Sequence, residues 1–383
     1  MDILFIAANA RSLVANRGEL IKTLTHQGLN VGALVPEYDY LDTVKDLGIP
    51  IWTYHLDRHS TNPLQNLIAF WQLRQQIASI APHSIFAYAI KPVTFGVFAA
   101  RLAGVKYSYC LLTGLGYLFA STSLKARILR QITQGLLGGS AMLSTLFIFQ
   151  NPDDQADLEK NWLFRTFARS IVVNGSGVDL NAYPFSAPPS SPVTFICIAR
   201  LIQEKGIQDF AQAAAQVKAK HPSTTFLLLG GLDSTLKNAI SPTQLEQWQA
   251  EAAVDIIGKV KDVRPYLQQA SVMVLPSYYR EGIPRSILEA MSMGRPIITC
   301  DTPGCRETVV DSVNGYLIPP RHATALQDAM LRFIENPDSI QAMGIASRRF
   351  AETKFDVVKV NQAMIQAMQQ TRPETMAFSD QPQ

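Results

Sequence analysis

Two glutamates eight residues apart, Glu281 and Glu289, bracket the stretch "EGIPRSILE", and a paired arginine and lysine, Arg200 and Lys205, stand in the earlier stretch "ARLIQEKG". Carboxylates accept hydrogen bonds from hydroxyls, and Arg and Lys at a strand end are polar in a way compatible with a bound ligand. Between the glutamates, Pro284 suits the first position of a helix, where a missing N–H costs nothing. The free amides of Gly282 and Ile283 at that helix start, with the helix dipole behind them, offer a place for a phosphate. A ligand with phosphates between two hydroxylated rings, one toward Glu281 and the other toward Glu289, satisfies all of these groups. A nucleotide-sugar is such a ligand.

The elements that must position these residues follow from hydrophobic periodicity. Short apolar runs, "ILFIA", "NVGALV", "SIFAYA", "KYSYCLL", "LFIFQ" and "SIVVNG", alternate with helical patterns near 17–27, 63–80, 93–103, 122–138 and 152–161. "YPFSAPPSSP", Tyr183 to Pro192, then reads as a linker. The alternation restarts with "VTFICIA", "TTFLLLG", "VDIIG", "SVMVLP" and "PIITC". Alternating strands and helices imply parallel sheets, so the fold class is α/β with two doubly wound, Rossmann-like domains, over 1–183 and 190–355. A last helix over about 356–371 can fold back on either domain, the first included. Ligands in such sheets bind beyond the carboxyl ends of strands. Arg200 and Lys205 follow one strand, Gly231 follows the next as a glycine that lets backbone or ligand approach, and the glutamates follow a third.

At 383 residues, with 47% hydrophobic and 17% charged, the chain has ample core for two domains. "MDILFIAANA" reads as a buried first strand and not a signal peptide, so a cytoplasmic chain is expected. "GLLGGSAMLSTLFIFQ" is too short and interrupted to span a bilayer. Cys110, Cys197, Cys300 and Cys305 lack zinc or disulfide spacing and read as small buried hydrophobes. His26, His55, His59 and His83 read as surface or cap residues, and Asp153 and Asp154 as a helix start. Lys91 either faces a phosphate or stands exposed. Residues 1–180 carry 15 Lys and Arg against 12 Asp and Glu, and no acid occurs from Arg58 to Pro152. A one-signed stretch of this length points to an anionic membrane surface or a phosphorylated substrate, against the plainer reading of a solvated face. In "SLKARILRQITQGLL", Leu124, Ile128, Leu129, Ile132 and Leu136 form a stripe beside Lys125, Arg127 and Arg130. Such a helix lies either at a membrane interface or in a core.

"EGIPRSILE" resembles the E-x7-E motif of retaining glycosyltransferases of family 4, and "ARLIQEKG" resembles that family's Arg and Lys segment. "KPVTFGVFAAR", "LLTGLGYLF", "FQNPDD", "GSGVDL", "DVRPYL" and "TPGCRETV" are similar to a bacterial branch that glycosylates polyprenyl-diphosphate-linked intermediates; the resemblance spans about residues 1–370. It implies the GT-B fold, two Rossmann-like domains facing across a cleft. By similarity, Arg200 and Lys205 meet the donor diphosphate, Glu281 the sugar hydroxyls, Glu289 the ribose, and the Gly282 and Ile283 amides the phosphates. The expected reaction is transfer of a hexose or N-acetylhexosamine from a nucleoside-diphosphate sugar, UDP-linked by expectation, to a lipid-linked saccharide acceptor. Peripheral contact with anionic membrane at its inner face follows, with no nucleic-acid partner and no cofactor. No metal is expected either, since no Asp-x-Asp occurs. One departure stands out: where several members place His or Asp after the fifth strand, this chain has Thr113 to Gly116, "TGLG". The alternatives are a nucleotide-sugar epimerase of the same architecture, a soluble acceptor or a non-catalytic nucleotide-binding module. A nicotinamide dehydrogenase is disfavoured because no G-x-G-x-x-G follows the first strand.

Overall fold

The computed structural model describes residues 1–36, 41–54, 63–116, 119, 123–232, 236, 238–251 and 253–371. His55, Arg58, His59 and the tail beyond 371 lie outside the described residues. The chain divides into two compact units: Met1–Ser176 with the chain from Val357 onward, and Gly177–Asp356.

Unit 1 is built on seven parallel strands: β1 (Ile3–Ile6), β2 (Val31–Pro36), β3 (Ile51–Tyr54), β4 (Ser84–Tyr88), β5 (Tyr107–Leu112), β6 (Leu146–Phe149) and β7 (Ser170–Val172), in the order β3-β2-β1-β4-β5-β6-β7. Its helices are α1 (Ala10–His26), α2 (Leu41–Lys45), α3 (Pro63–Ile80), α4 (Ile90–Leu102), α5 (Leu124–Leu143), α6 (Pro152–Glu159) and α7 (Trp162–Phe167). The central strands are buried along nearly their whole length and mostly apolar, because both faces of a parallel sheet are covered. Alternate residues serve the two sides. Ile3 and Phe5 join a core with Leu13 and Leu20 of α1, whereas Leu4 and Ile6 join one with Leu73 of α3, Val97 of α4, Leu137 of α5 and Phe164 of α7.

Unit 2 repeats the plan with six parallel strands: β8 (Thr194–Ile198), β9 (Thr225–Leu229), β10 (Asp255–Gly258), β11 (Val272–Leu275), β12 (Ile297–Cys300) and β13 (Gly315–Ile318), in the order β10-β9-β8-β11-β12-β13. They alternate with α8 (Ile207–Lys220), α9 (Pro242–Ala250), α10 (Arg264–Gln269) and α11 (Arg285–Ser292), and α12 (Ala323–Glu335) and α13 (Asp338–Phe350) follow. A final helix, α14 (Val357–Gln369), belongs to unit 1, where Val360, Met364, Ile365 and Met368 enter the α1 side of the core.

The doubly wound α/β reading holds in both units. Several details differ from the sequence expectation. The short edge strands β3 and β13 carry no long apolar run and escape pattern reading. The division falls after Ser176, not in the proline-rich stretch. That stretch is bound to unit 2 by two arginines, one buried and one half-buried: Arg295 donates to the carbonyls of Ser186 (2.5 Å), Ala270 (2.7 Å) and Met293 (3.0 Å), and Arg348 donates to those of Tyr183 (3.1 Å) and Ser292 (2.8 Å). All four cysteines are free and buried. Asn151 caps α6 by accepting from the Asp154 amide at 2.8 Å, so the two aspartates do lie in a helix's first turn.

Candidate active site

In unit 2 the chain runs β8, β9, β10 outward in one direction and then starts β11 on the other side of β8. The loops after β8 and β11 therefore leave the sheet toward opposite faces, and the crevice at this switch of direction is where open α/β sheets take their ligands. Arg200 and Lys205 come from the first loop and Glu281 from the second.

After β8 the chain makes a tight 3-10 turn, Gln203–Lys205, that ends on Gly206 in the left-handed region at φ 69°. A Cβ on Gly206 would sit 2.1 Å from the Pro276 carbonyl oxygen, so only glycine lets the two loops touch here. Contact is then sealed through the backbone: the amides of Tyr278 and Tyr279 donate to the Glu204 carbonyl at 2.9 and 3.1 Å. The Glu204 carboxylate is fixed from the other side by Asn238 at 2.5 Å.

This stitching brings Lys205 Nζ to 2.5 Å from Glu281 Oε2, with both side chains largely buried. Ser277 Oγ donates to the other carboxylate oxygen at 2.8 Å. Lys205 also lies 5.9 Å over the ring of Tyr279. The loop is backed by "TPGC": Thr302 donates to the Ser277 carbonyl at 3.0 Å, and a Cβ on Gly304 would overlap the Gly282 carbonyl oxygen at 1.6 Å. Cys305 packs behind; burial, then the nearby Glu281 charge, pushes its thiol up to about 12, so it stays protonated and inert.

Pro284 is the N-cap of α11 and Arg285 its first residue, a shift of one position from the sequence expectation. The amides of Gly282 and Ile283 donate to no described residue, and the first amide to return into the helix is that of Ile287, to the Pro284 carbonyl at 3.1 Å. The donors at this helix start are thus open to an anion. Glu289, one turn inside, is buried and held by Arg285 Nε at 2.7 Å. Tyr183 completes the cluster: burial, then the Glu289 charge, raises its phenol to about 12.

The structure brings Lys205 and Glu281 into contact and places Gly282, Ile283 and Glu289 along the following loop and helix. Arg200 is exposed beyond β8 and makes no ion pair with a described residue. Gly231 makes no close approach to another backbone segment. That falls to Gly230, whose Cβ would meet the Ala199 carbonyl oxygen at 1.9 Å, while one on Gly231 would only touch Lys259 at 3.5 Å. Sequence reasoning missed Ser277, Asn238, Thr302 and Tyr183, whose contacts cross between remote segments. In unit 1, Lys91 lies half-buried in the first turn of α4, and the expected departure, Thr113 to Gly116, is a loop with Gly114 and Gly116 at φ 108° and 69°. Chemically, the unit 2 cluster offers cations and free amides for a diphosphate, with carboxylates on either side for hydroxyls.

Residues 192–336 match the family model described as Glycosyl transferases group 1. A Campylobacter jejuni protein named as an N,N'-diacetylbacillosaminyl-diphospho-undecaprenol alpha-1,3-N-acetylgalactosaminyltransferase is 28% identical, over 88% of this chain and 90% of its own length. An Escherichia coli UDP-Gal:alpha-D-GlcNAc-diphosphoundecaprenol alpha-1,3-galactosyltransferase is 25% identical, over 85% of this chain and 84% of its own. Among solved structures, the sucrose-phosphate synthase of Thermosynechococcus elongatus superposes with a TM-score of 0.81 at 18% identity, covering 97% of this chain and 98% of that one. Anabaena HepE in complex with UDP superposes with a TM-score of 0.77 at 19% identity, covering 96% and 99%. The likeness to these structures shows a shared fold.

Proposed function

We propose, from the premise that the chain is a glycosyltransferase of GT-B fold carrying a group 1 domain, that it transfers a hexose or N-acetylhexosamine from a UDP-sugar to a polyprenyl-diphosphate-linked saccharide, with retention at the anomeric carbon. The observation that carries the donor side is the Lys205–Glu281 pair at the β8/β11 switch, beside the open amides that start α11. In this reading Arg200, Lys205 and the amides of Gly282 and Ile283 receive the diphosphate, Glu281 accepts from the sugar hydroxyls and Glu289 from the ribose. Gly231 borders the nucleotide. As the bond from the anomeric carbon to the diphosphate oxygen breaks, its electron pair leaves on the diphosphate. The charge that grows there is met by fixed cations and amides, which need no reorganisation when the reaction occurs. The new bond forms from an acceptor hydroxyl, whose proton passes to the departing diphosphate oxygen as it attacks.

The Campylobacter and Escherichia relatives, named for diphospho-undecaprenol substrates, support a lipid-linked acceptor, and the UDP complex of HepE supports the base. Such acceptors support a peripheral position at the cytoplasmic face of a membrane. Among the described residues no helix is long and apolar enough to cross one.

The test is transfer itself. The purified chain is incubated with a panel of UDP-sugars and a polyprenyl-diphosphate-linked monosaccharide, with EDTA in parallel. The expected result is one extended product, α-linked from an α-linked donor, at a rate EDTA leaves within about twofold, because protein cations and amides carry the leaving-group charge. Activity abolished by chelation and restored by Mn²⁺ would refute the metal-free reading. Conversion of the donor sugar with no acceptor present would point to an epimerase instead.

A further inference from the structure

The unit 1 helices α3, α4, α5 and α7 cover one face of the seven-stranded sheet and share one core beneath them. Their outer side is unusual in two independent ways. Among the described residues, twenty large hydrophobic side chains are exposed; four lie on α3, one on α4, five on α5 and two on α7, twelve in all. Helices α3, α4, α5 and α7 carry seven basic residues, Arg74, Lys91, Arg101, Lys125, Arg127, Arg130 and Arg165, and no acidic one, whereas α6, which joins the same core through Leu158, carries Asp153, Asp154, Asp157 and Glu159. Single exposed hydrophobics are ordinary; a concentration of them on one side of one sheet is not.

The arrangement within each helix sharpens the point. On α5, Leu124, Ile128 and Ile132 follow one another at four-residue spacing, a continuous ridge, with Leu124 71% exposed. The alternative that this stripe is core is closed: over that half of the helix only the small Ala126 is buried, and the core is filled from Leu137 onward. On α3, Leu64, Ile68 and Trp71 form a second stripe, opposite the buried Leu73 and Ile77. Of the chain's four tryptophans, Trp71 and Trp162 are exposed, at 47% and 64%, and both stand on this layer. Arg74 lies 5.6 Å over the Trp71 ring, so a cation and an interfacial aromatic share one position.

We propose that the outer side of the α3–α4–α5–α7 layer is a membrane-docking face whose partner is an anionic lipid bilayer. The apolar ridges of α3 and α5 enter the headgroup boundary, Trp71 and Trp162 anchor there, and the basic side chains meet lipid phosphates. A second protein surface would satisfy the apolar ridges equally, but the one-signed charge of α3, α4, α5 and α7 with exposed tryptophans matches an anionic headgroup layer. The proposal rests on the reading of a membrane-embedded acceptor, but its test needs neither donor nor acceptor.

The full chain is sedimented with vesicles of phosphatidylcholine alone and of phosphatidylcholine with phosphatidylglycerol. Expected is binding at least tenfold stronger to the anionic vesicles at low salt, largely released at 1 M salt where screening shortens to about 3 Å. Trp71→Gln with Ile128→Gln, and separately Lys125→Glu with Arg127→Glu, each weakens binding at least tenfold while UDP binding stays unchanged. Brominated lipid quenches wild-type tryptophan fluorescence more than that of Trp71→Phe. Wild-type protein that ignores anionic vesicles overturns the proposal, as does light scattering that shows a dimer converted to monomer by Trp71→Gln with Ile128→Gln. If vesicles bind but no sugar reaches a lipid-linked acceptor, the docking face stands and the acceptor assignment falls.

Discussion

Lys205 and Glu281 are costly to separate, because removing either leaves a largely buried charge without its 2.5 Å partner. Lys205→Ala should therefore lower stability by about 3–5 kcal/mol as well as turnover by about 10²–10³. Arg200 is exposed with no ion pair to a described residue, so Arg200→Ala should reduce turnover comparably while stability stays within about 0.5 kcal/mol. Thermal melts beside initial rates distinguish the two; an Arg200→Ala enzyme of normal turnover would remove that residue from the site. The glutamates separate by ligand. Glu289→Ala should weaken binding of the free nucleotide at least tenfold, since the ribose is present there, while Glu281→Ala should spare it and depress transfer. Calorimetry with UDP alone decides, and equal losses would overturn the assignment. The residue types were legible in the sequence because their chemistry is carried by spacing within short segments. Ser277 and Tyr183 were not, because which hydroxyl the folded loops turn toward a carboxylate has no local signature.

Strand and helix alternation was legible at the level of elements because parallel strands buried on both faces are continuously apolar. The edge strands "IWTY" and "GYLI" were missed for the complementary reason: several of their residues are only half-buried, so burial demands less of their composition. Glycine roles were legible only in part. A Cβ at Gly230 would collide with a backbone carbonyl, while one at Gly231 meets the flexible methylenes of Lys259. Gly230→Ala should thus cost about 1–3 kcal/mol, the range for an overpacked site, and Gly231→Ala less than about 0.5 kcal/mol. If Gly231 borders the nucleotide as proposed, Gly231→Ala weakens UDP binding at unchanged stability. Equal UDP affinity in that variant would remove Gly231 from the site and leave it a loop residue.

The chain as a whole crosses from unit 1 to unit 2 and returns, and that return could not be read from local pattern. The apolar stripe of α14 suits either unit; what decides is the side of sheet 1 that α1 leaves room to cover, where Met364 and Met368 are fully enclosed. The proline-rich stretch misleads in the opposite direction. Its composition reads as a free linker, yet Arg295 and Arg348 hold its carbonyls from remote positions and make it part of unit 2. If α14 is a structural member of unit 1 and the donor groups all lie in unit 2, the two properties must respond separately to mutation. Met364→Ala and Met368→Ala each delete a buried side chain and should cost about 2–5 kcal/mol of unit 1 stability. Below the new melting point, UDP affinity should remain within about twofold of wild type. Differential scanning calorimetry and UDP titration on the same samples check both halves; a loss of UDP binding that tracks the loss of stability would mean that the donor site depends on unit 1 and is not built by unit 2 alone.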